Sequence, residues 1–534
     1  MLPWLFFVAA VVTATRVAAT SGGSALQSYA DLSARHKTAW GAKQLALAIG
    51  ALIAGLTLRL IGIGNSLGGD EYGTLWAVED TVATVLSRSI SFQGQTPFYY
   101  LLLWPFVAIF GESETILRLP SVAFTLGAAG VLYAAGNLLG GRWAGLSCGV
   151  MFWLSFLGVM LGGDARPYAL SLLFTSLAFY GFVRAVEDGR PLGRCLFILG
   201  GVGLVASHYL VAIVLAGLGI GYLALAPLRK HYPLPKFLMD VSIQVLLSLP
   251  FLSQVLSLWS RRRDLPWTSE ISFATVLFSV APEILLLCAA LAATRSPRRG
   301  SREVVWLTFG AIAALTPLVL LRILAGFGPN LFVYRYVAGA IVPTCLIAGL
   351  AVSRLPLRLS AFGWLGWAAL HAAFLASAFS QAGSFTSAGY QDWRGGVALL
   401  ESRLAANPGA ALLYRSGFVE DDLQVRQSPV SSAVYAPLRS PGRPPPDFPL
   451  TLLSYNWEIE GRQEYFERAV VPVIQNSSTF YYLSCDCAAD NRRTSYEQRL
   501  EEWVGLRFPG RFSAERLKTG VGVVLMQYSS KEEP

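Results

Sequence analysis

Charged residues are scarce in this chain: they make up 14% of its 534 residues, whereas 54% are hydrophobic. Soluble domains usually carry roughly a quarter charged residues. The shortage is concentrated before Ser380, where apolar runs of about 15 to 25 residues follow one another. A run of about 20 apolar residues crosses the hydrocarbon core of a bilayer as a helix. The composition therefore excludes an ordinary soluble protein and predicts an integral membrane protein with many spans.

Metal-binding and nucleotide-binding patterns are also lacking. The four His are scattered and the six Cys form no C-x-x-C pair, so no zinc site is predicted. Cys485 and Cys487 lie in the polar C-terminal part, where their close spacing favours free thiols over a mutual disulfide. That part also has neither a Gly-rich phosphate loop nor a nucleophile elbow. The net charge of +9 comes largely from short loops between apolar runs, so it indicates membrane orientation and not a nucleic-acid partner.

Basic residues follow every second apolar run, which predicts that these loops face the cytoplasm. The predicted bundle has about eleven spans, with a cytoplasmic amino end and a C-terminal part outside. The spans are expected near residues 43–64, 118–138, 143–162, 166–184, 194–206, 209–227, 237–258, 271–293, 303–325, 335–353 and 359–379.

Two N-terminal segments need separate interpretation. Residues 96–110 are apolar, but they are short and contain Pro97 and Pro105, so they predict a re-entrant or interfacial helix on the outer face. Counting them as a span would place the basic loops outside. Residues 1–42 leave three alternatives open: an interfacial helix, an extra span or a mis-assigned start.

The domain organisation follows from the change in pattern near Gly383. Residues 43–382 are expected to form the transmembrane domain, and residues 383–534 a small extracytoplasmic α/β domain. In the second part, strands are predicted within 411–418, 479–485 and 521–528, and helices within 394–407 and 494–506.

Ionisable residues recur in the loops that this topology places outside. Asp70 and Glu71 follow the first span, and a solvated acidic pair is the ordinary interpretation of such residues. Arginines are disfavoured on the outer side, however, and ionisable groups at membrane depth usually mark a site. An arginine triplet at 261–263 is also explained as a headgroup anchor. An acid opposed to several arginines suggests a base beside a clamp for an anion, such as a lipid phosphate.

The ordered series of these motifs resembles the GT-C superfamily of membrane glycosyltransferases, especially the branch of protein O-mannosyltransferases and the lipid A aminoarabinose transferase. The resemblance covers roughly 58–394. Many relatives have two prolines before the tyrosine where this chain has Thr96-Pro97. The motifs are Gly69-Asp70-Glu71, Gln95-Thr96-Pro97-Phe98-Tyr99-Tyr100, Glu114 with Arg118-Leu119-Pro120-Ser121, Ala165-Arg166-Pro167-Tyr168, Ser207-His208-Tyr209, Arg335-Tyr336 and Asp392-Trp393-Arg394.

The resemblance implies transfer of a sugar from a polyprenyl-phosphate donor to an acceptor on the outer face, with helices lying along the membrane in the first outer loop. Asp70 corresponds to the catalytic base, with Glu71 beside it, and a single displacement would invert the anomeric centre. The expected donor phosphate-binding residues are Arg166, Tyr168, His208, Tyr209, Arg261, Arg262, Arg335 and Tyr336. The expected acceptor or loop-positioning residues are Gln95, Pro97, Tyr99, Arg118 and Asp164.

Several points stay open at the level of sequence. No cofactor is expected to be required, although Asp70, Glu71 and Asp164 could supply oxygen ligands to a divalent cation. The acceptor is a glycan, a lipid or a protein, and the expected location is a bacterial inner membrane. A transporter or flippase of a lipid-linked or anionic substrate is the alternative, but the charges cluster on one face and no repeated halves are visible.

Overall fold

The computed structural model of the chain describes residues 41–91, 96–260, 302–327, 332–386, 390–439, 449–485 and 495–531. The alternatives for the N-terminal segment rest on residues before 41, and the predicted span at 271–293 also lies outside the described residues. In chain order the helices of the first part are α1 (Ala42–Leu60), α2 (Gly69–Val78), α3 (Val82–Ser91), α4 (Phe98–Phe110), α5 (Glu114–Gly140), α6 (Arg142–Leu154), α7 (Phe156–Gly162), α8 (Tyr168–Asp188), α9 (Pro191–Ser207), α10 (Val214–Ala224), α11 (Leu234–Ser248), α12 (Leu252–Ser260), α13 (Arg302–Leu324), α14 (Ile341–Val352) and α15 (Leu357–Ala382).

Each predicted span within the described residues coincides in position with one or two of these helices. Six helical segments there are long and apolar enough to cross a membrane, and a seventh is added if the bent pair α6 and α7 forms one span. Helices α4, α9, α10 and α14 are apolar but shorter. The helical bundle is therefore confirmed, whereas the predicted number of eleven spans is not.

Close contact between neighbouring helices depends on small residues. A Cβ on Gly181 of α8 would lie 2.2 Å from the backbone nitrogen of Phe197 in α9. A Cβ on Gly200 of α9 would lie 2.3 Å from the backbone nitrogen of Ala178. Small residues at such positions let helix backbones approach each other, as is common in membrane bundles.

A buried arginine stabilises the break between α6 and α7, whose axes differ by 56°. Arg59, at the end of α1, is fully buried, and its Nη2 donates to the carbonyl oxygens of Trp153 at 2.9 Å and Gly158 at 2.8 Å. Its guanidinium also lies 3.6 Å from the centre of the Trp153 ring. The Trp153 carbonyl lies in the last turn of α6, where it lacks a partner within the helix, so Arg59 supplies its donor and links it to Gly158 in α7.

The C-terminal domain is an α/β unit, as predicted. Its helix α16 (Trp393–Ala406) precedes β1 (Ala411–Arg415), and the remaining main elements are β2 (Leu450–Leu452), β3 (Thr479–Cys485), α17 (Tyr496–Arg507), β4 (Phe512–Leu517) and β5 (Val523–Ser530). Short helical segments lie at Asp422–Val425, Arg462–Tyr465 and Val471–Gln475. The strand order is β2-β1-β3-β5-β4, with β1 parallel to β2 and β3, and β5 antiparallel to β3 and β4.

One face of this sheet covers the segment that follows α1. Leu412 and Tyr414 of β1 share a buried hydrophobic cluster with Tyr72, Leu75 and Trp76 of α2. The indole nitrogen of Trp76 also donates to the hydroxyl of Ser432 at 3.0 Å. The C-terminal domain therefore packs directly on the helix that begins at Gly69.

The interpretation of Cys485 as a free thiol is wrong, because Cys485 is disulfide-bonded. The free cysteines within the described ranges are Cys148, Cys195 and Cys345. Cys487 lies outside those ranges.

Candidate active site

Asp70 lies in the first turn of α2, at one end of the bundle. The backbone N–H of Gly68 donates to Oε2 of Glu71 at 3.0 Å, and the backbone N–H of Gly69 donates to Oε1 of Gln391 at 2.6 Å. The N–H groups of a first turn favour negative charge. The start of α2 is therefore fixed from both sides, and it stabilises the Asp70 carboxylate.

Two guanidinium groups contact Asp70. Nη1 of Arg335 donates to Oδ2 of Asp70 at 3.0 Å, and Nη1 of Arg166 donates to its backbone oxygen at 3.1 Å. Burial raises the pKa of Asp70, but the positive charges of Arg166 and Arg335 outweigh this effect and hold the pKa below its usual value. The Asp70 side chain keeps 49% of its surface exposed. It is therefore an ionised, accessible carboxylate near neutral pH.

Glu71 has a different environment from its neighbour. Both of its carboxylate oxygens accept from Arg118, with Oε1 to Nε at 2.9 Å and Oε2 to Nη2 at 2.5 Å. Oε1 also accepts from the backbone N–H of Ala165 at 2.9 Å. Arg118 has no exposed surface and also donates to the carbonyls of Ile63 and Asn65. The contacts of Glu71 are therefore those of a residue that positions two loops.

An aromatic stack lies beside the two arginines. The ring of His208 lies 5.1 Å from that of Tyr168 and 5.5 Å from that of Tyr336, measured between ring centres. Burial and the charges of Arg166 and Arg335 lower the pKa of His208 to about 3. Its Nδ1 is buried, and no hydrogen-bond partner for it is found among the described residues. A neutral imidazole is thus held with one polar atom available beside two cations.

Asp164 is a second acid near this site. Burial and the negative charge of Glu71 raise its pKa to about 8, and the positive charge of Arg166 opposes this change. Its backbone oxygen accepts from the hydroxyl of Ser121 at 2.6 Å. Asp164 therefore binds a proton at neutral pH, in contrast to Asp70.

The other predicted residues are spread around this cluster. Tyr209 donates its hydroxyl to Oε1 of Gln254 at 2.5 Å. Pro97 precedes the first residue of α4, and Tyr99, the second residue of that helix, is fully buried. Gln95, Arg261 and Arg262 lie outside the described residues.

Sequence reasoning missed the contact made by Gln391. Its Oε1 accepts from Gly69, as described, and also from the indole nitrogen of Trp393 at 3.2 Å. Nearby, Arg394 donates to Oε1 of Glu114 at 2.8 Å. A sequence signal lies next to Gln391, because the following residues, Asp392-Trp393-Arg394, belong to the ordered motif series. A link from the C-terminal domain to the start of α2 could have been inferred from it.

The described ranges contain no group of three or more His, Cys, Asp or Glu side chains placed to hold a metal ion. Asp70 and Glu71 point to different partners, Arg335 and Arg118. A shared cation site would require both carboxylates to leave those partners. The expectation that no cation is required stays a prediction.

The chain is similar to one known family and to solved structures. The model of the dolichyl-phosphate-mannose-protein mannosyltransferase family matches residues 94–256. The apo structure of ArnT from Cupriavidus metallidurans matches with a TM-score of 0.53 and 12% identity, over 90% of this chain and 97% of that chain. The same protein bound to undecaprenyl phosphate matches over the same shares with a TM-score of 0.50 and 12% identity. No curated protein sequence matches the chain significantly.

The family match over residues 94–256 and the ArnT-like fold together support the class of integral membrane glycosyltransferases. The predicted resemblance to the GT-C superfamily is thereby confirmed. Within that superfamily, the fold is that of ArnT, and the matched sequence family is that of the mannosyltransferases.

Proposed function

We propose that this protein transfers a sugar from a polyprenyl-phosphate donor to an acceptor hydroxyl at the extracytoplasmic face of a bacterial inner membrane. The observation that carries the proposal is the ionised Asp70 carboxylate, which lies 3.0 Å from Arg335. Arg166 donates to the backbone oxygen of the same residue. ArnT has been solved with undecaprenyl phosphate bound, which supports a lipid phosphate as the ligand of such a site.

The proposed chemistry is a single displacement. Asp70 takes the proton of the acceptor hydroxyl, whose oxygen attacks the anomeric carbon, and the lipid phosphate leaves with the electron pair of the broken bond. Glu71 is bonded to Arg118, and burial raises the pKa of Asp164 and favours its protonated form, so neither is suited to form a covalent glycosyl intermediate. One free carboxylate supports inversion at the anomeric carbon.

The phosphate-binding role falls to residues on three separate elements. Arg166 precedes α8, His208 follows α9, and Arg335 lies before α14. Arginine and a polar ring nitrogen are suitable donors for phosphate oxygens. Arg261 and Arg262 remain proposed contributors on the basis of sequence alone.

The orientation of the site is proposed from two features. Basic loops favour a cytoplasmic location for the opposite end of the bundle, and the disulfide at Cys485 favours an oxidising compartment for the C-terminal domain. The charged groups lie in loops and first turns instead of at the middle of the spans. This arrangement supports a transferase over a transporter or flippase.

The proposal is tested with the full chain in proteoliposomes containing a radiolabelled polyprenyl-phosphate sugar and native membrane extract as the acceptor source. We expect loss of label from the lipid and its appearance in product. Asp70→Asn should slow this transfer by a factor of about 10² or more, the usual contribution of a general base. Asp80→Asn is the matched control, because Asp80 is also 49% exposed and paired with an arginine, Arg88. Near-normal transfer by Asp70→Asn would overturn the assignment.

A further inference from the structure

The two arginines at Asp70 are bound in different ways. Arg166 contacts the backbone of α2, where it donates to the Asp70 carbonyl and lies 3.5 Å from Oγ1 of Thr74. Arg335 instead pairs with the Asp70 carboxylate itself, and its side chain remains 29% exposed. Any change in the charge of that carboxylate therefore acts directly on Arg335.

The charges around the carboxylate can be counted. Arg166 and Arg335 carry two positive charges, and ionised Asp70 cancels one of them. His208 is neutral because its pKa is lowered to about 3, and Asp164 is neutral because its pKa is raised to about 8. The cluster therefore has a single net positive charge before reaction. Among the described residues, its other titratable neighbours include Glu71, which is paired with Arg118, and the tyrosines Tyr99, Tyr100, Tyr168, Tyr334, Tyr336 and Tyr455.

The proposed reaction changes the charge of the lipid phosphate. A donor phosphodiester carries one negative charge, which one net positive charge balances. The leaving group is a phosphate monoester, which carries about 1.5 to 2 negative charges near neutral pH. The site therefore needs additional positive charge at the moment when the bond to the sugar breaks.

Resting on the proposed function, we propose that Arg335 couples the base to the leaving group: proton transfer to Asp70 breaks its ion pair with Arg335, which then binds the departing phosphate. The acceptor O–H bond breaks and its proton moves to an Asp70 oxygen. The acceptor oxygen bonds to the anomeric carbon, and the electron pair of the old bond stays on the phosphate. The charge lost at the carboxylate equals the charge gained by the leaving group.

His208 is the other group that could supply this charge. Its ring is confined between Tyr168 and Tyr336, and Arg166 and Arg335 both disfavour its protonation. It can donate or accept one hydrogen bond in its neutral form, but its surroundings oppose a positive charge. Arg335 is already charged, so only its partner has to change.

The experiment measures equilibrium binding of two lipids to the purified full chain in nanodiscs: a polyprenyl phosphate and its methyl phosphodiester. Asp70→Asn represents the protonated base. We expect it to tighten monoester binding by about tenfold or more, because attraction scales with ligand charge. Diester binding should tighten by only about threefold, because the diester carries about half the charge of the monoester. Asp80→Asn should leave the ratio of the two affinities unchanged.

A double-mutant cycle separates the coupling from general electrostatics. The monoester preference gained by Asp70→Asn should be lost in the Asp70→Asn/Arg335→Gln double variant. An equal gain with and without Arg335, or an unchanged ratio in Asp70→Asn, would overturn the coupling. If Asp70→Asn does not fold, Asp70→Ser takes its place in the same cycle, and an equal gain in monoester preference with and without Arg335 overturns the proposal. Failure of the wild-type chain to bind either lipid would instead overturn the proposed function.

Discussion

Glu71 and Arg118 form a buried, two-point ion pair that joins the start of α2 to α5, with 5% and 0% of their side chains exposed. The pair also holds the loop before α2 through the carbonyls of Ile63 and Asn65, and the loop before α8 through Ala165. It therefore fixes the relative position of the segments that carry Asp70 and Arg166.

Glu71→Gln should destabilise the protein strongly, because it leaves the Arg118 charge buried without a countercharge. Breaking a buried pair from one side typically costs about 3 to 5 kcal/mol. We expect a clear drop in the thermal unfolding midpoint in detergent, together with loss of transfer. Glu467→Gln is the control, since it breaks an exposed pair with Arg507 and should leave the midpoint nearly unchanged. Equal midpoints for the two variants would contradict the buried-pair argument.

Gln391→Ala should slow transfer without preventing donor binding. The substitution removes the acceptor for the N–H of Gly69, so the first turn of α2 loses a constraint next to Asp70. We expect kcat to fall by about tenfold, in line with the sensitivity of catalysis to small displacements of the base. The measurement is kcat and donor affinity determined separately.

The Gln391 prediction has two controls. Gln391→Glu retains a side-chain acceptor and should recover much of the lost rate, because carboxylates also cap helix N-termini. Gln381→Ala, which removes an exposed glutamine in α15, should have no effect. A parallel fall in kcat for Gln391→Ala and Gln391→Glu would argue against capping as the cause.

His208→Phe should preserve the stack with Tyr168 and Tyr336 while removing the available ring nitrogen. Loss of one hydrogen bond to a charged phosphate costs about 1.5 to 3 kcal/mol, or about tenfold or more in affinity. Binding of a polyprenyl phosphate should weaken accordingly, with an unchanged thermal midpoint. Wild-type affinity in His208→Phe would remove His208 from the phosphate site.

Lipid phosphate binding should weaken as the pH rises through about 8. Asp164 is an acid with a raised pKa, so it is neutral below about 8 and gains a negative charge above it. That charge would lie near Arg166 and reduce the attraction for an anion. Binding isotherms at pH 7 and pH 9 test this expectation.

Asp164→Asn should abolish that alkaline decrease, since an amide does not ionise. A decrease of the same size in the variant would assign the effect to another group.

The acidic limb of activity belongs to Asp70, whose lowered pKa keeps it ionised down to low pH. Arg335→Gln removes one cause of that lowering, so it should move the acidic limb to higher pH.

Hydropathy predicted the positions of the helices well because each span must bury its backbone polar groups within a continuous helix. It did not predict their lengths: α9, α10 and α14 are too short to be counted as spans. The length of a helix depends on the residue at which it ends, and packing against neighbouring helices determines that residue. Short-range sequence patterns carry little of this information.

Sequence patterns also predicted only some of the strands. β1, β3 and β5 were predicted from apolar, β-branched and aromatic residues, whereas β2 and β4 were missed. β2 has three residues, and β4 (FSAERL) is mostly exposed at the edge of the sheet. Neither has the alternation that identifies a half-buried strand.

The candidate site was predicted from motif order and not from local pattern. Asp70 and Arg335 are separated by 265 residues, and their ion pair is a product of the whole fold. Composition and predicted topology assigned Asp70 and Arg335 to the same face of the membrane, and the family resemblance suggested their roles. Gln391 was overlooked because a neutral side chain in a loop gives no charge or periodicity signal.

Arg59 has a consequence for biogenesis. The carbonyls of Trp153 and Gly158 depend on a donor from α1, so the bent pair α6–α7 is complete only when the first described helix is already in place. These partners lie 94 and 99 residues after Arg59, so the contact forms only after all three segments have been synthesised. A chain shortened to start after Leu60 would insert those segments with unsatisfied carbonyls at lipid depth, and quality-control proteolysis should remove it.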